Sequence, residues 1–405
     1  MTTTILGVKI SILRKREIIK KISSFLQDKK QHYLVTPNPE FLIAAARDEE
    51  FFYILNKADI AVPDGIGLIF AALCNGKIIK RISGSDLIYD ICALAEKQKK
   101  STFLLGGEGL VAEEAAKKLQ EKFLRLKIVG AEEGLNAGKW KLEAGNWIKG
   151  ELKNQKLELK IKESRPDIIF VAFGHPRQEK WIYHNLPNLP SVKLMMGVGG
   201  SFDFIANKIK RAPKILRLLG LEWSWRLAQE PRKRWRRIYD AIIKFPLIFL
   251  SWKFIKPWLY RPNVACLLYK KENNKIKVLL AERRDQSNHW QLLQGGTDGE
   301  DLTTAGTREL REEAGTDKFK PVATFKKLHK YKINRKIPIQ RYGYRGQKQG
   351  LFIAEFTGQD SGININFWDH RDWKWVDIDN VVNEVYDRRK EATRIFIEKL
   401  KSLNI

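Results

Sequence analysis

Two groups of carboxylates in this 405-residue chain stand where they could do chemistry. The first is Asp64, in the run DIAVPDGIGLIF, where a β-branched stretch gives way to Gly65 and Gly67. A carboxylate so placed projects past a strand end toward the start of a helix, which suits a general base. Capping the next helix would use the same residue equally well. The second group is Glu309, Glu312 and Glu313 in TRELREEAGT, at positions i, i+3 and i+4 of a helix and hence on one face. Like charges so close repel unless a cation joins them, and a hard divalent ion shared between carboxylates and substrate phosphates meets that need. Arg308 can pair with Glu312 one turn on, and Gly315 ends the helix. Taken alone, REL-REE also describes an ordinary surface helix, and Gln178-Glu179 a solvated first turn.

The elements that must position these groups follow from periodicity. From residue 33 to about 205, short apolar runs alternate with helical patterns: YLVT, DIAVP, TFLLGG, LKIVGA, DIIFVAFG and KLMMGVGG. Such alternation predicts right-handed crossovers and a mostly parallel sheet with helices on both faces. Ligands bind such sheets beyond the carboxyl ends of the strands. Those ends here carry Thr36-Pro37-Asn38, Pro63-Asp64-Gly65, Gly106-Gly107, Gly174-His175-Pro176 and Gly197-Val198-Gly199-Gly200. Between Lys208 and Lys256 the composition shifts to fourteen Lys or Arg against Glu222, Glu230 and Asp240, with Trp223, Trp225, Trp235 and Trp252 interleaved. KPWLYRPN (256–263) reads as a linker, and VACLLYK and KVLLAERR, separated by KENNKI, as a hairpin that opens a new domain. The expected organisation is therefore an α/β domain at 1–207, a basic aromatic appendage at 208–257 and a second domain at 258–405.

The blocks TPNPEFLIAAARDEEF, DIAVPDGIGLIF, ISGSDLIYDI, FGHPRQEKWI, GVGGSFDFIA and GLEWSWRLAQEPRKRWRR occur in that order. Together they resemble the WecG/TagA/CpsF glycosyltransferases of bacterial cell-wall and surface-polysaccharide synthesis. The resemblance implies a Rossmann-like fold and inverting transfer of N-acetylmannosamine, or its uronic acid, from a UDP-sugar to N-acetylglucosamine on a polyprenyl diphosphate. Matching positions make Asp64 the base and place Thr36, Asn38, Arg81 and Gln178 in the substrate pocket. Arg217, Arg226 and Arg232 match the block that closes over the site in the family. Many sugar-nucleotide transferases hold a metal with a DxD pair, and none occurs before residue 377. Transfer without a metal cofactor is expected, with the departing diphosphate neutralised by Gly-rich turns, helix N-termini and arginines.

QGGTDGEDLTTAGTRELREEAGT (294–316) resembles the Nudix box, which implies an α/β/α sandwich and Mg²⁺ or Mn²⁺ held by Glu309, Glu312 and Glu313, the last two also catalytic. The interval from the Gly pair to Glu300 is one residue shorter than the family pattern. Leu293 stands where many members have Pro, and Thr316 replaces the usual aliphatic residue. Farther on, YRGQKQGLFIAEF and DWKWVDID resemble the branch that includes diadenosine tetraphosphate hydrolases and RNA pyrophosphohydrolases. By that likeness Arg345 and Lys348 face substrate phosphate on a strand edge, and Asp369 supplies a further metal carboxylate. The substrate implied is a nucleoside polyphosphate or 5′-triphosphorylated RNA.

Composition agrees with phosphate-bearing partners: 74 Lys plus Arg against 47 Asp plus Glu give a formal charge of +27. With 43% hydrophobic residues the chain is rich enough for packed cores. Cys74, Cys92 and Cys266 form no CxxC pair. The start of the chain mixes Lys and Arg into its apolar positions, unlike a signal peptide, so a cytoplasmic enzyme is expected. AIIKFPLIFLSW (241–252) is too short to span a bilayer but could lie on one. Beside so many cations it predicts peripheral contact with an anionic membrane, on the inner face of the cytoplasmic membrane. The competing reading is a 5′-end pyrophosphohydrolase whose basic stripe grips RNA and whose transferase-like domain is inert.

Overall fold

The computed structural model describes residues 1–133, 141–143, 146–148, 151–213, 215–216, 222–333 and 342–403. Packing divides the chain into two compact units, one running to Lys253 and the other from Phe254, apart from segments 142–147 and 338–341.

The first unit opens with an antiparallel hairpin, β1 (Thr2–Ile5) and β2 (Val8–Ser11). Alternation follows: α1 (Lys15–Phe25), β3 (His32–Val35), α2 (Pro39–Ala45), α3 (Glu49–Lys57), β4 (Ile60–Ala61), α4 (Ile66–Cys74) and α5 (Gly84–Lys97). β5 (Ser101–Gly106), α6 (Val111–Lys122) and β6 (Lys127–Glu132) continue it. A short hairpin of β7 (Lys141–Glu143) and β8 (Asn146–Ile148) precedes α7 (Glu151–Ser164), β9 (Ile168–Ala172), α8 (Arg177–Asn185), β10 (Leu194–Gly197) and α9 (Ser201–Ile205). All six strand-like runs of the sequence join one sheet in the order β4-β3-β10-β9-β5-β6, with every neighbouring pair parallel. Covered on both faces, these strands need no polar side: β3, β5 and β10 are buried at every residue. Tyr33 and Val35 feed the apolar cluster on one face, and Leu34 between them feeds the other.

The basic segment is helical: α10 (Glu222–Gln229), α11 (Pro231–Tyr239), a π-helical turn over 240–244 and α12 (Phe245–Leu250). The apolar stretch 241–252, read as able to lie on a bilayer, does not present all its apolar residues outward. Phe245 and Phe249, one turn apart, are fully buried in the core of the first unit, and only Ile242, Ile243, Leu247 and Leu250 are exposed. Among the described residues no helix is long and apolar enough to cross a membrane.

The second unit is a mixed sheet between helices. β11 (Tyr260–Glu272) and β12 (Lys275–Arg283) form the expected hairpin, turning at Asn273 and Asn274, both in the left-handed region that such a tight turn demands. β11 begins at Tyr260, so half of the segment read as a linker is strand. β13 (Trp290–Gln291), β14 (Leu293–Gly296), α13 (Leu302–Ala314), β15 (Phe319–Lys332), β16 (Gly346–Phe356), β17 (His370–Asp377), α14 (Val381–Glu384) and α15 (Lys390–Lys401) complete it. The main order is β13-β12-β11-β16-β15, with β14 on β11 and β17 on β12. α13 packs through Ala305, Leu310 and Ala314 on one side, and α15 through Phe396, Ile397 and Leu400 on the other.

Candidate active sites

In the first unit, β4, β3, β10 and β9 are adjacent, so the loops at their carboxyl ends meet. Asp64 follows β4 and is about one-quarter exposed. Its Oδ1 accepts from Arg81 Nε at 3.2 Å and its Oδ2 from the Gly84 amide at 3.1 Å. The helix that directly follows it, α4, is capped by Gly65 without a side-chain bond. The Asp64 carboxylate reaches across to the start of α5. Gly84 fits because it has no side chain: a Cβ there would press on Thr36 at 3.3 Å and stand 3.6 Å from Asp64 Oδ2. Thr36, buried at the end of β3, is thus placed beside the carboxylate. Asn38 caps α2, its Oδ1 accepting from the Phe41 amide at 3.1 Å. Gly65, at φ +139°, lies where a Cβ would stand 3.6 Å from that of Asn38.

Arg81 also donates from Nη2 to Glu222 Oε2 at 3.2 Å. Burial opposes its charge, but the Asp64 and Glu222 carboxylates outweigh that and hold its pKa above the ordinary arginine value. Sequence reading passed over Glu222; its signal was its place in the GLEWSWRL block. Arg217 lies outside the described residues, as does the side chain of Arg226, and Arg232 is exposed on the first turn of α11.

Gln178 and Glu179 are not a solvated turn. Both are buried, Glu179 completely. Gln178 Oε1 accepts from the amides of Gly174 at 3.1 Å and Gly199 at 3.0 Å, tying together the loops after β9 and β10. Its Nε2 donates to Glu179 Oε1 at 2.6 Å, while Glu179 Oε2 is buried with no hydrogen-bond partner among the described residues. Gly197 leaves the room, since a Cβ there would meet Gln178 Nε2 at 2.5 Å. Burial pushes the Glu179 pKa up to about 8. His175, stacked on Phe41 and desolvated, with Arg237 nearby, falls to about 4.

In the second unit, α13 starts at Asp301, whose carboxylate accepts from the Thr303 and Thr304 amides. It stops at Gly315 at φ +62°, where a Cβ would meet the Asn364 carbonyl oxygen at 2.1 Å. Glu309 and Glu313 are buried and Glu312 is about two-fifths exposed. Arg308 holds the cluster together: Nη1 donates to Glu309 at 2.7 Å and Glu312 at 3.3 Å, Nε to Glu300 at 3.0 Å and Nη2 to the Gly296 carbonyl at 2.8 Å. The Glu300 pairing is made in spite of the short loop, in which Asp298 and Gly299 both take positive φ. Gly295 admits the Glu309 carboxylate, which a Cβ would strike at 1.9 Å. Glu313 Oε2 accepts from the Gln294 amide at 2.9 Å and lies 3.7 Å from Nε2 of buried His370.

Asp369 directly precedes His370, and its amide is held by Asn366, which also accepts from the His370 amide and donates to the Glu312 carbonyl. Lys348 lies on β16 in phase with Phe352, which packs on α13 at Gly306, so by strand alternation it shares the face that α13 covers. That strand is interior, between β11 and β15, not the sheet edge expected. Arg345 sits just before it, bonded through its amide to Leu259. Sequence reading missed Arg261, buried in the supposed linker: its guanidinium stacks on Tyr342 at 3.4 Å and occupies the space a Cβ at Gly296 would take.

Residues 3–258 match the model of the glycosyl transferase WecG/TagA/CpsF family. The chain belongs to that family. Residues 259–400 match the NUDIX domain, so the family's enzymatic unit is followed by a second enzymatic domain. A relative from Bacillus subtilis strain 168, an N-acetylglucosaminyldiphosphoundecaprenol N-acetyl-beta-D-mannosaminyltransferase, is 32% identical over 57% of this chain and 86% of its own. The enzyme of the same description from Staphylococcus aureus strain MW2 is 30% identical over 58% of this chain and 85% of its own. An RNA pyrophosphohydrolase from Wolbachia pipientis subsp. Culex pipiens (strain wPip) is 39% identical over 36% of this chain and 91% of its own.

Proposed function

We propose that the first unit transfers an N-acetylmannosamine-type sugar from a UDP-sugar to N-acetylglucosamine carried on a polyprenyl diphosphate. The observation that carries this is the Asp64–Arg81 pair, set among Thr36, Asn38 and the Gly-rich strand ends of a parallel sheet. Asp64 takes the proton from the acceptor hydroxyl as that oxygen bonds to the anomeric carbon. The bond from that carbon to the diphosphate oxygen breaks in the same displacement, its electron pair leaving with UDP. Arg81, with Gln178 bracing the β9 and β10 loops, supplies fixed positive charge and shape for the departing diphosphate. Arg217, Arg226 and Arg232 are assigned to closure over the bound substrates, and no metal to this step. The unit would work at the inner face of the cytoplasmic membrane, where its lipid-linked acceptor is displayed.

The test is Asp64→Asn. A base acts chiefly in the transition state, so transfer should fall by ~10²–10⁴ while UDP-sugar binding, followed calorimetrically, stays within a few-fold. Near-normal turnover would leave Asp64 a structural residue.

For the second unit the proposal is hydrolysis of a nucleoside polyphosphate, 5′-triphosphorylated RNA included. The residues suit a hard divalent cation: Glu309, Glu312 and Glu313 offer only oxygen donors on one helix face, and the Arg308 guanidinium pairs with the first two of them. Mg²⁺ or Mn²⁺ held there, with Asp369 as a further carboxylate, would polarise a phosphoryl oxygen and activate water. Arg261, Arg345 and Lys348 provide cations for the phosphate chain. Glu312→Gln and Glu313→Gln should each abolish hydrolysis of triphosphorylated RNA and diadenosine polyphosphates. Faster hydrolysis of UDP-sugars than of either would overturn the substrate class.

A further inference from the structure

The segment between Asp64 and Arg81 leaves the crevice and returns to it, its two ends bonded to each other. What it carries in between is apolar and exposed. α4 buries Leu68, Ala71 and Ala72, but Ile66, Phe70 and Leu73, at i, i+4 and i+7 and therefore on one face, are 50%, 46% and 63% exposed. The turn after it presents Ile78, 85% exposed, between exposed Lys77 and Lys80. Side chains of this size favour burial, so four of them together on one segment call for a cover.

Within the same unit α12 lies alongside. Phe70 meets Phe249 edge-on at 6.5 Å, and Gly67 lets the Phe245 ring come within 3.3 Å of where its Cβ would be. Lys253 donates to Asn75, which caps the end of α4, at 2.6 Å. Ile243, Leu247 and Leu250, on this neighbouring helix and just before it, are also exposed.

We propose that α4 and the Lys77–Lys80 turn dock, together with α12, on an anionic phospholipid bilayer and so hold the Asp64–Arg81 pair at headgroup depth. The inference rests on the lipid-linked acceptor proposed above. Charge selects a bilayer over a second copy of the chain: no acidic residue occurs between Asp64 and Asp86, whereas Lys77, Lys80 and Arg81 do. On neighbouring α11, Trp235 and Tyr239 are exposed, the residue types that settle at the headgroup layer. The base and its arginine then sit at the two roots of a lipid-seated loop, where a polyprenyl diphosphate presents its head.

The experiment uses the full chain carrying Leu73→Ser with Ile78→Ser, or Lys77→Glu with Lys80→Glu. Both pairs are exposed and outside the site, so the fold should hold, and circular dichroism checks it. Sedimentation with phosphatidylglycerol–phosphatidylcholine vesicles should weaken about tenfold or more for each pair, by ~1 kcal/mol per lysine in the second. Transfer to a short-chain, water-soluble acceptor should be unchanged, while transfer to a long-chain acceptor in those vesicles falls with binding. Wild-type sedimentation by both variants overturns the proposal. So does a dimer in size-exclusion chromatography that the variants dissociate while vesicle binding persists. If the wild-type chain transfers to neither acceptor, the transferase reading fails, and the vesicle result still decides the docking face.

Discussion

Glu179 shows how one residue can set a condition on the whole transferase unit. A carboxylic acid with no exposure, one oxygen bonded to Gln178 and the other unpartnered among the described residues, is held in its neutral form at physiological pH. Its folded pKa of about 8 lies above the unfolded value. The stability it contributes is complete below the unfolded glutamate pKa and is lost as pH rises from there through about 8. Glu179→Gln keeps the acceptor for Gln178 and cannot ionise. Denaturant unfolding at a series of pH values should show the variant matching wild type at and below the unfolded glutamate pKa and exceeding it by on the order of a few kcal/mol above pH 8. A difference that stays constant with pH would mean that Glu179 is ionised in the native state. Residues of this kind were hard to read: Gln178-Glu179 in a polar stretch looks like a helix start, and burial of a carboxylate is decided by tertiary packing. Asp64 was easier to single out, because it ends a strand-like run and Gly65 and Gly67 follow it.

At the scale of elements the pattern of apolar runs was sufficient for the sheet. Each of the six runs became a strand because a parallel sheet covered on both faces tolerates continuous apolar sequence. The hairpins β1–β2 and β7–β8 went unread; their four- and three-residue strands are too short to show a period. The reading of 241–252 as able to lie on a bilayer did not foresee that Phe245 and Phe249 face inward while Leu247 between them faces out, a division that depends on α4 packing alongside. Helix α13 was legible through its i, i+3, i+4 carboxylates, and its end is set by Gly315. Gly315→Ala must place a Cβ against the Asn364 carbonyl at a positive φ, so the second unit should lose at least ~1–2 kcal/mol in urea unfolding. Sugar transfer by the same variant should be unchanged. A variant as stable as wild type would show that the α13 end relaxes freely.

Across the whole molecule two enzymatic domains with different side-chain chemistry share one chain. The transferase unit has no DxD pair before residue 377 and gathers arginine and backbone amides instead, whereas the Nudix helix gathers carboxylates. Exhaustive EDTA dialysis should therefore abolish nucleoside polyphosphate hydrolysis and leave sugar transfer within about twofold, since a guanidinium cannot be chelated away. Assaying both activities on one preparation checks this, and transfer that needed Mn²⁺ for recovery would contradict it. The net charge of +27 fits both halves, whose proposed substrates are all phosphates.

The strand order has a consequence for how the chain is made. β10 lies between β3 and β9, and its partner β3 precedes it by some 160 residues. Until Leu194–Gly197 has left the ribosome, β3–β4 and β9–β5–β6 are separate half-sheets, each with an unpaired inner edge of apolar strand. The core closes later still, when Phe245 and Phe249 arrive to pack beside α4. At ~5–20 residues per second, the first half-sheet waits roughly ten to thirty seconds for its neighbour. During synthesis the transferase unit is thus a client for whatever shields exposed strand edges, and a ribosome stalled before residue 194 would hold a nascent chain prone to aggregate through β3.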